Sequence, residues 1–350
     1  MQIEELDYDL PDALIAQEPP FERDGARMMT LARDGGAIGH RSVVELPDLL
    51  QPGDLLVVNE TRVLPARLHG FRSDTGGRVE IFLLEPVAVP AGAWRARVRS
   101  GGSPGVGERL ELMKGEGLFL HAAEGHGQWI VRGEDETVTD LMARHGRMPL
   151  PPYIRRRPGR DERDAMDRDR YQTRFARDDG AVAAPTAGLH LSDDLLEAIE
   201  ERGVERAAVT LHVGIGTFAP VRSETLEDHD MHAERYVISE ETADAVRAAK
   251  AEGRRVVAIG TTTVRALEGA AAASDDGLPK PGAAATDLFI TPGYEFRVVD
   301  ALLTNFHLPR STLIALVGAF AGLDHVLAAY REAVEARYRF YSYGDAMFLA

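Results

Sequence analysis

Chemistry shows first where a strand runs into a hydroxyl-rich helix start. After the buried run VVAI, Gly260-Thr261-Thr262-Thr263 opens a helix with Arg265 in its first turns. Exposed N–H groups and the positive end of the helix dipole favour an anion there. A carboxylate or phosphate could dock with Arg265, or the segment could be an ordinary Thr cap with a solvated Arg. Strand-to-helix tips are where α/β proteins bind ligands. LHVGIGTFAP carries Gly214-x-Gly216-x-x-Ala219 after a strand, a superficial dinucleotide fingerprint. That fingerprint needs a following helix. Pro220 and Val221 follow instead, so it is rejected. These glycines more plausibly let backbone pass close to something, with His212 and Thr217 flanking the point.

His229-Asp230-Met231-His232-Ala233-Glu234 packs two histidines and a carboxylate together. Metal ligands, an acid/base pair and a polar loop edge are all open readings. If the segment enters a strand at YVIS, His232 and Glu234 share a face and His229 points away. That favours a base-plus-acid pair over a three-ligand site. Three further loops hold isolated polar residues: Pro185-Thr186-Ala187-Gly188-Leu189-His190, Thr304-Asn305-Phe306-His307, and Tyr341-Ser342-Tyr343-Gly344-Asp345. A lone His is usually a satisfied core residue. Three such loops near expected strand ends are more suggestive together than singly.

The elements that must position these loops fall into three stretches. About 1–66 ends in a continuous apolar run, Leu55 to Val58, suited to a strand buried on both faces. About 67–149 reads as all-β: RLHGF, RVEIFLLEPV, WRARVRS, ERLELM, GLFLHA and QWIVRG recur at barrel or sandwich spacing. Trp94, Ala96 and Val98 alternate with Arg95, Arg97 and Arg99, giving one wet or ligand-facing side. A short helix over 137–145 closes this stretch. About 150–350 alternates strands and helices, with Ser192, Ser239 and Ser311 as N-caps and Gly203 and Gly253 as stops. ATDLFI and RVVDALLTNF read as strands, the Ala-rich 270–285 as a surface loop, and 324–339 as one long helix. Repeated β-then-α units imply a largely parallel sheet covered by helices.

Composition bounds the partners. The chain has 350 residues, 40 Lys plus Arg against 56 Asp plus Glu, a net charge of −16 and no cysteine. A uniformly basic nucleic-acid coat is excluded, as are disulfides, Fe–S clusters and a Cys nucleophile. The acidic start carries no apolar signal region. The longest apolar run, Leu313 to Ala321, is nine residues, against the roughly 20 a membrane span needs. A cytoplasmic protein with no membrane contact is expected. One stretch departs from the acidic average: residues 155–177 hold nine Arg and five acids, beginning Arg155-Arg156-Arg157 directly after Tyr153-Ile154. Arg makes bidentate phosphate contacts and stacks on bases, with Tyr153 and Tyr171 as possible platforms. A solvated linker with locally neutralised Arg is the equal alternative.

Taken together, nine segments resemble the S-adenosylmethionine:tRNA ribosyltransferase-isomerase family of queuosine biosynthesis. They are YDLPDALIAQEPPFERDGARM, GDLLVVNETRVLPARL, PLPPYIRR, YQTRFARDDGAVAAPTAGLHL, VTLHVGIGTFAPV, HDMHAERY, AIGTTTVRALE, TDLFITPGYEFRVVDALLTNFHLPRSTLIALVGAFAG and YRFYSYGDAM, spanning residues 8 to 347. Leu191, Glu60 and Tyr341 replace the family's usual Phe, Asp and Phe, and the loop 100–108 is Gly-rich where relatives often carry Lys. The resemblance implies a main α/β domain, 1–66 and 150–350, with a small β-barrel, 67–149, inserted into it. It implies transfer and isomerisation of the ribosyl part of S-adenosylmethionine onto 7-aminomethyl-7-deazaguanine at the tRNA wobble position, giving epoxyqueuosine, adenine and methionine. It also implies a monomer. S-adenosylmethionine is then a consumed substrate, and neither metal nor redox cofactor is required.

Within that frame the residues suggest roles. His212 or His232, supported by Glu234, would act as base or acid. Thr261, Thr262 and Arg265 would hold the methionine carboxylate. Asn305 and His307 would line a nucleobase pocket, and Thr186, Gly188, His190, Thr217, Tyr343 and Asp345 belong to the same substrate-binding loops. Arg155, Arg156 and Arg157 would contact tRNA phosphate. The competing classes are a His/carboxylate metallohydrolase built on His229, His232 and Glu234, and an acidic protein-binding scaffold.

Overall fold

The computed structural model describes residues 1–157, 161–214, 225–229, 231 and 233–350. The expected site residues Thr217 and His232 lie outside them. The chain divides into two compact units: Met1–Arg62, Pro152–Ile154 and Gln172–Ala350 form one, Val63–Pro151 and Arg155–Tyr171 the other. The Arg-rich run is therefore divided: Arg155–Tyr171 groups with the β-rich unit, and its last residues, with Arg174 and Arg177, with the α/β part. The chain begins with β1 (Arg27–Leu31), β2 (Ile38–Ser42), a single turn α1 (Leu46–Leu49), β3 (Leu55–Asn59) and β4 (Thr61–Val63).

The second unit is a closed six-stranded barrel. Its strands are β5 (Arg67–Arg72), β6 (Arg78–Pro86), β7 (Trp94–Ser100), β8 (Arg109–Glu111), β9 (Gly117–Gly125) and β10 (Gln128–Gly133), in the order β10-β7-β6-β5-β8-β9. All six match the short runs legible in the sequence. Closure leaves no unpaired strand edge. Trp94, Ala96 and Val98 point inward to a core with Leu68, Ile81, Leu83, Leu120 and Val131. On the outer face of β7, Arg95 pairs with Glu85 and Glu124. α2 (Val138–His145) is capped by Thr137, whose Oγ1 accepts the Asp140 N–H, and it adds Val138, Leu141 and Met142 to the barrel core. α3 (Asp164–Arg170) follows.

The first unit resumes with β11 (Asp178–Ala181), α4 (Asp193–Glu201), β12 (Glu205–Leu211), β13 (Glu234–Ile238), α5 (Glu240–Ala251), β14 (Val256–Ile259) and α6 (Thr261–Ala272). It ends with β15 (Gly282–Thr286), β16 (Ala301–Asn305), α7 (Thr312–Ala321), α8 (Leu323–Glu335) and β17 (Ala346–Leu349). Nine strands form one sheet in the order β15-β13-β12-β3-β14-β16-β17-β1-β2. The centre, β12, β3, β14 and β16, is parallel. The edges add antiparallel partners, β13 and β15 on one side and β17 and β2 on the other, so the sheet as a whole is mixed.

Strand alternation sorts the central residues into two cores. Leu55, Val57, Val256, Ala258 and Leu302 face one, with Val246 of α5, Leu267 of α6, Leu316 of α7 and Val326 of α8. Leu56, Val58, Val257, Ile259 and Leu303 face the other, with Leu195 and Ile199 of α4. Burial on both faces explains the uninterrupted apolar runs. Ser192, Ser239 and Ser311 cap α4, α5 and α7 by accepting N–H groups at 3.0, 3.1 and 3.4 Å.

Two expectations are corrected. The strand expected at ATDLFI is Gly282–Thr286, which takes only Ala285 and Thr286 from that run and otherwise lies in the supposed Ala-rich loop. It is a mostly exposed edge strand held by its pairing with β13, so it carries no apolar signature. The long C-terminal helix ends at Glu335, and Arg337 turns the chain at a φ of 55°. Among the described residues no single helix is long and apolar enough to cross a membrane; α7 and α8 pass together by length and composition but are bent by 114°.

Candidate active site

The four parallel strands deliver polar residues at their carboxyl ends, where open α/β sheets bind ligands. Asn59 closes β3, Gly260 and Thr261 follow β14, Asn305 closes β16, and His212 follows β12. Asn59 is 1 % exposed and uses its whole hydrogen-bonding capacity. Its Nδ2 donates to Leu211 O at 3.0 Å and to Thr262 Oγ1 at 3.2 Å. Its Oδ1 accepts the N–H groups of Leu211 at 3.0 Å and Thr61 at 3.2 Å. One buried amide thereby ties the ends of β3 and β12 to the start of α6.

His212 sits beside this clasp, its Nδ1 hydrogen-bonded to Thr61 Oγ1 at 2.8 Å. β11 lies directly against the ring: a Cβ on Gly180 would come within 2.8 Å of the imidazole. Burial pushes the His212 pKa below its ordinary value, and Arg235 adds to this against the opposing pull of Asp178 and Asp179. The ring is therefore neutral near pH 7. Asp178 is fixed in turn, accepting from Thr210 Oγ1 at 2.9 Å. Beside it, burial raises the Glu60 pKa, opposed by Arg177, which donates to Glu60 at 2.6 Å.

Thr186, Gly188 and His190 lie on a single-turn helix, Thr186–His190, against the β14 tip: a Cβ on Gly260, at a φ of 89°, would contact Ala187 at 3.5 Å. Asn305 Nδ2 donates to His190 Nε2 and to Tyr341 O, both at 3.1 Å. Burial pushes His190 down to about 4, with Arg339 and Arg23 adding to it. Burial likewise pushes His307 down to about 3. His307 Nε2 lies 3.3 Å from Thr304 Oγ1 and Nδ1 lies 3.2 Å from Tyr330 OH. The Tyr341 ring stacks on Tyr153 at 4.3 Å, and the Tyr341 backbone holds a φ of 72°. Asn305 Oδ1 and Tyr341 OH are buried without a hydrogen-bond partner among the described residues.

Other expected residues are committed elsewhere. Arg265 is 5 % exposed and ion-pairs with Glu234, so its charge meets a protein carboxylate where a substrate carboxylate was expected. Glu234 also accepts from Gly214 N at 3.3 Å, so the carboxylates acting on His212 are instead those of β11. Asp345 accepts the N–H groups of Arg27 at 3.0 Å and Arg339 at 2.7 Å, tethering β1 to the final turn; Tyr343 is 2 % exposed in that turn. His229 packs edge-on to Phe289. Among the described residues no group of three or more His, Asp or Glu is placed to hold a metal ion. In the barrel unit, Arg156 pairs with Asp167 at 2.6 Å while Arg155 and Arg157 are exposed.

Asn59, Thr61 and Asp178 were not among the expected site residues, and Tyr153 was expected only as a platform for a base, not as the partner of Tyr341. Asn59 had a signal, since it is the polar residue closing an unbroken apolar run. Thr61 had none, because its partner is 151 positions away.

Comparison with known proteins places these residues in context. The sequence model of the family described as "Queuosine biosynthesis protein" matches residues 3–349. The chain is similar to the S-adenosylmethionine:tRNA ribosyltransferase-isomerase of Geobacter sulfurreducens, at 53 % identity over 100 % of both chains. It is similar to the enzymes of the same name from Anaeromyxobacter sp., at 52 % over 100 % of this chain and 99 % of that one, and from Moorella thermoacetica, at 46 % over 100 % of both. Among solved structures it is similar to the S-adenosylmethionine tRNA ribosyltransferase of Thermotoga maritima, at 36 % identity, with a TM-score of 0.55 covering 99 % of this chain and 100 % of that one.

Proposed function

Because this chain belongs to the queuosine biosynthesis protein family, we propose that it transfers and isomerises the ribosyl moiety of S-adenosylmethionine onto 7-aminomethyl-7-deazaguanine in tRNA. The products are epoxyqueuosine in tRNA, adenine and methionine. The observation that supports the site assignment is that Asn59, His212 and Asn305 stand at the carboxyl ends of the parallel strands and Thr262 at the start of α6, with Asn59 bonded to both Leu211 and Thr262 beside the neutral His212 imidazole.

The chemistry suits those groups. A sulfonium acidifies the adjacent ribose C–H, and neutral His212 is a base able to take that proton. The ylide expels the ring oxygen from C4′, adenine leaves with the abstracted proton as the C1′ aldehyde forms, the tRNA amine adds to C4′ of the vinyl sulfonium, the regenerated ylide carbon closes on C1′, and the new alkoxide displaces methionine to form the epoxide. A well-placed acid/base group contributes about 10²–10⁴-fold. Thr261 and Thr262 at the amino end of α6 suit the methionine carboxylate. Asn305 Oδ1 and the Tyr341 hydroxyl, buried and without a partner among the described residues, suit the polar edge of a nucleobase. The reading takes S-adenosylmethionine as consumed and assigns no resident metal or redox cofactor. It also takes the enzyme as a cytoplasmic monomer whose macromolecular partner is tRNA.

The test is release of adenine and methionine from S-adenosylmethionine by the purified chain. Turnover should depend on tRNA carrying the aminomethyl base and should persist in the presence of a chelator. No tRNA-dependent release would overturn the reading; release abolished by chelator would return the metallohydrolase alternative.

A further inference from the structure

Resting on His212 as the base, we propose that Thr61 is a positioning residue that fixes the tautomer of that imidazole. Its Oγ1 accepts from Nδ1–H and leaves the lone pair on Nε2 for the substrate proton.

The hydrogen bond made by one ring nitrogen sets the state of the other. Here Nδ1 is engaged by the Thr61 hydroxyl at 2.8 Å, and Gly180 closes against the ring. A hydroxyl oxygen offers two acceptor lone pairs and one rotatable proton. It can accept Nδ1–H in the neutral ring and keep that bond unchanged when Nε2 becomes protonated, so proton abstraction needs no rearrangement on this side. A carboxylate at the same place would add a full charge and hold the ring protonated at rest. Thr61 supports the cation as it forms without stabilising it beforehand.

The contact is doubly fixed. Asn59 Oδ1 grips the backbone N–H of Thr61 at 3.2 Å and that of Leu211, the residue before His212, at 3.0 Å. The hydroxyl and the ring are therefore set against each other from one buried amide. Asp178 and Asp179 from β11 and Arg235 from β13 are the charged groups acting on the ring.

The experiment compares full-length Thr61→Val, Thr61→Ser and His212→Gln with wild type. Single-turnover adenine release is measured on modified tRNA, together with ¹⁵N NMR of the histidine side chains. The His212 signals are those lost in His212→Gln. The wild-type ring should be protonated on Nδ1. Thr61→Val should move it toward the Nε2-protonated form and slow release by about 10–100-fold, a part of the roughly 10²–10⁴-fold that a well-placed acid/base group contributes. KM for S-adenosylmethionine should stay within about twofold, and Thr61→Ser should restore the rate. An Nε2-protonated ring in the wild type, or an unchanged rate in Thr61→Val, overturns the proposal. A wild-type rate in His212→Gln would instead remove the base assignment. The wild-type NMR measurement, assigned with His212→Gln, decides the tautomer even if Thr61→Val fails to fold.

Discussion

At the scale of single residues, three histidines are held neutral by burial, and two consequences follow from the sign of that effect. His212 must be unprotonated to act as base, and its pKa lies below the ordinary 6.5. Single-turnover rate should therefore rise with pH along a limb centred below 6.5 and be level above it, and His212→Gln should lose about 10²–10⁴-fold. A limb centred well above 6.5 would contradict a buried, neutral base. The second consequence concerns stability. His190 and His307, pushed down to about 4 and about 3, bind no proton in the folded state between pH 6.5 and 5, whereas the unfolded chain does. Stability therefore falls as pH drops from 6.5, by about 2 kcal/mol per histidine on reaching pH 5. Urea unfolding at the two pH values measures the loss. His307→Gln should reduce it by about one histidine's share, about 2 kcal/mol, and an unchanged pH dependence in that variant would show that His307 does not titrate as described.

At the scale of elements, the site depends on how α6 is anchored. Glu268, on the far turns of this helix, is fully buried and accepts the N–H groups of Arg297, Val298 and Val299 and the Tyr294 hydroxyl, at 3.0–3.1 Å. One carboxylate thus fastens α6 to the approach to β16, the two elements that present Thr262 and Asn305. Glu268→Ala would leave buried N–H groups unpaired and should destabilise by about 3 kcal/mol or more; a loss under about 1 kcal/mol in urea unfolding would mean that water replaces the carboxylate. What was legible in the sequence at this scale was local. The run Leu55 to Val58, the alternation at Trp94, Ala96 and Val98, and the caps Ser192, Ser239 and Ser311 each depend on neighbours a few residues away. What was not legible depends on distant partners. The strand at Gly282–Thr286 exists because β13 offers hydrogen bonds, not because its alanines pattern. Arg265 read as a clamp for a substrate carboxylate because nothing in the sequence says that Glu234, 31 positions earlier, would be folded against it. Asn59 could be noticed as polar, but its grip on Leu211 spans 152 positions.

At the scale of the whole molecule, charge decides how an acidic protein meets an acidic polymer. The net charge of −16 opposes indiscriminate RNA binding, so docking must use a local excess of cations. The Arg-rich run supplies fewer than its composition suggests, since much of it is paired within the barrel unit. Arg156 meets Asp167 and Arg163 meets Asp161, while the run's Asp164 is taken by Arg147 from outside it. Asp161 is held well below the usual carboxylate range, first by the Arg163 side chain and then by the Arg157 N–H. The three arginines once grouped as phosphate contacts therefore separate. Arg155 and Arg157 are exposed, while the Arg156 side chain is 8 % exposed against its carboxylate. Each phosphate contact releases counterions, so losing one should reduce the slope of log affinity against log salt by about 0.7–0.9. Arg155→Ala with Arg157→Ala should weaken tRNA binding at low salt and flatten that slope by about 1–2. Arg156→Ala should leave the slope alone and lower the unfolding midpoint, because it strands a buried carboxylate. If Arg156→Ala alone flattened the slope, or the double variant bound tRNA with wild-type salt dependence, the docking face would lie outside this stretch. Either outcome is read from one titration series at several salt concentrations, with catalysis by the same variants on saturating tRNA as the control that the α/β unit is intact.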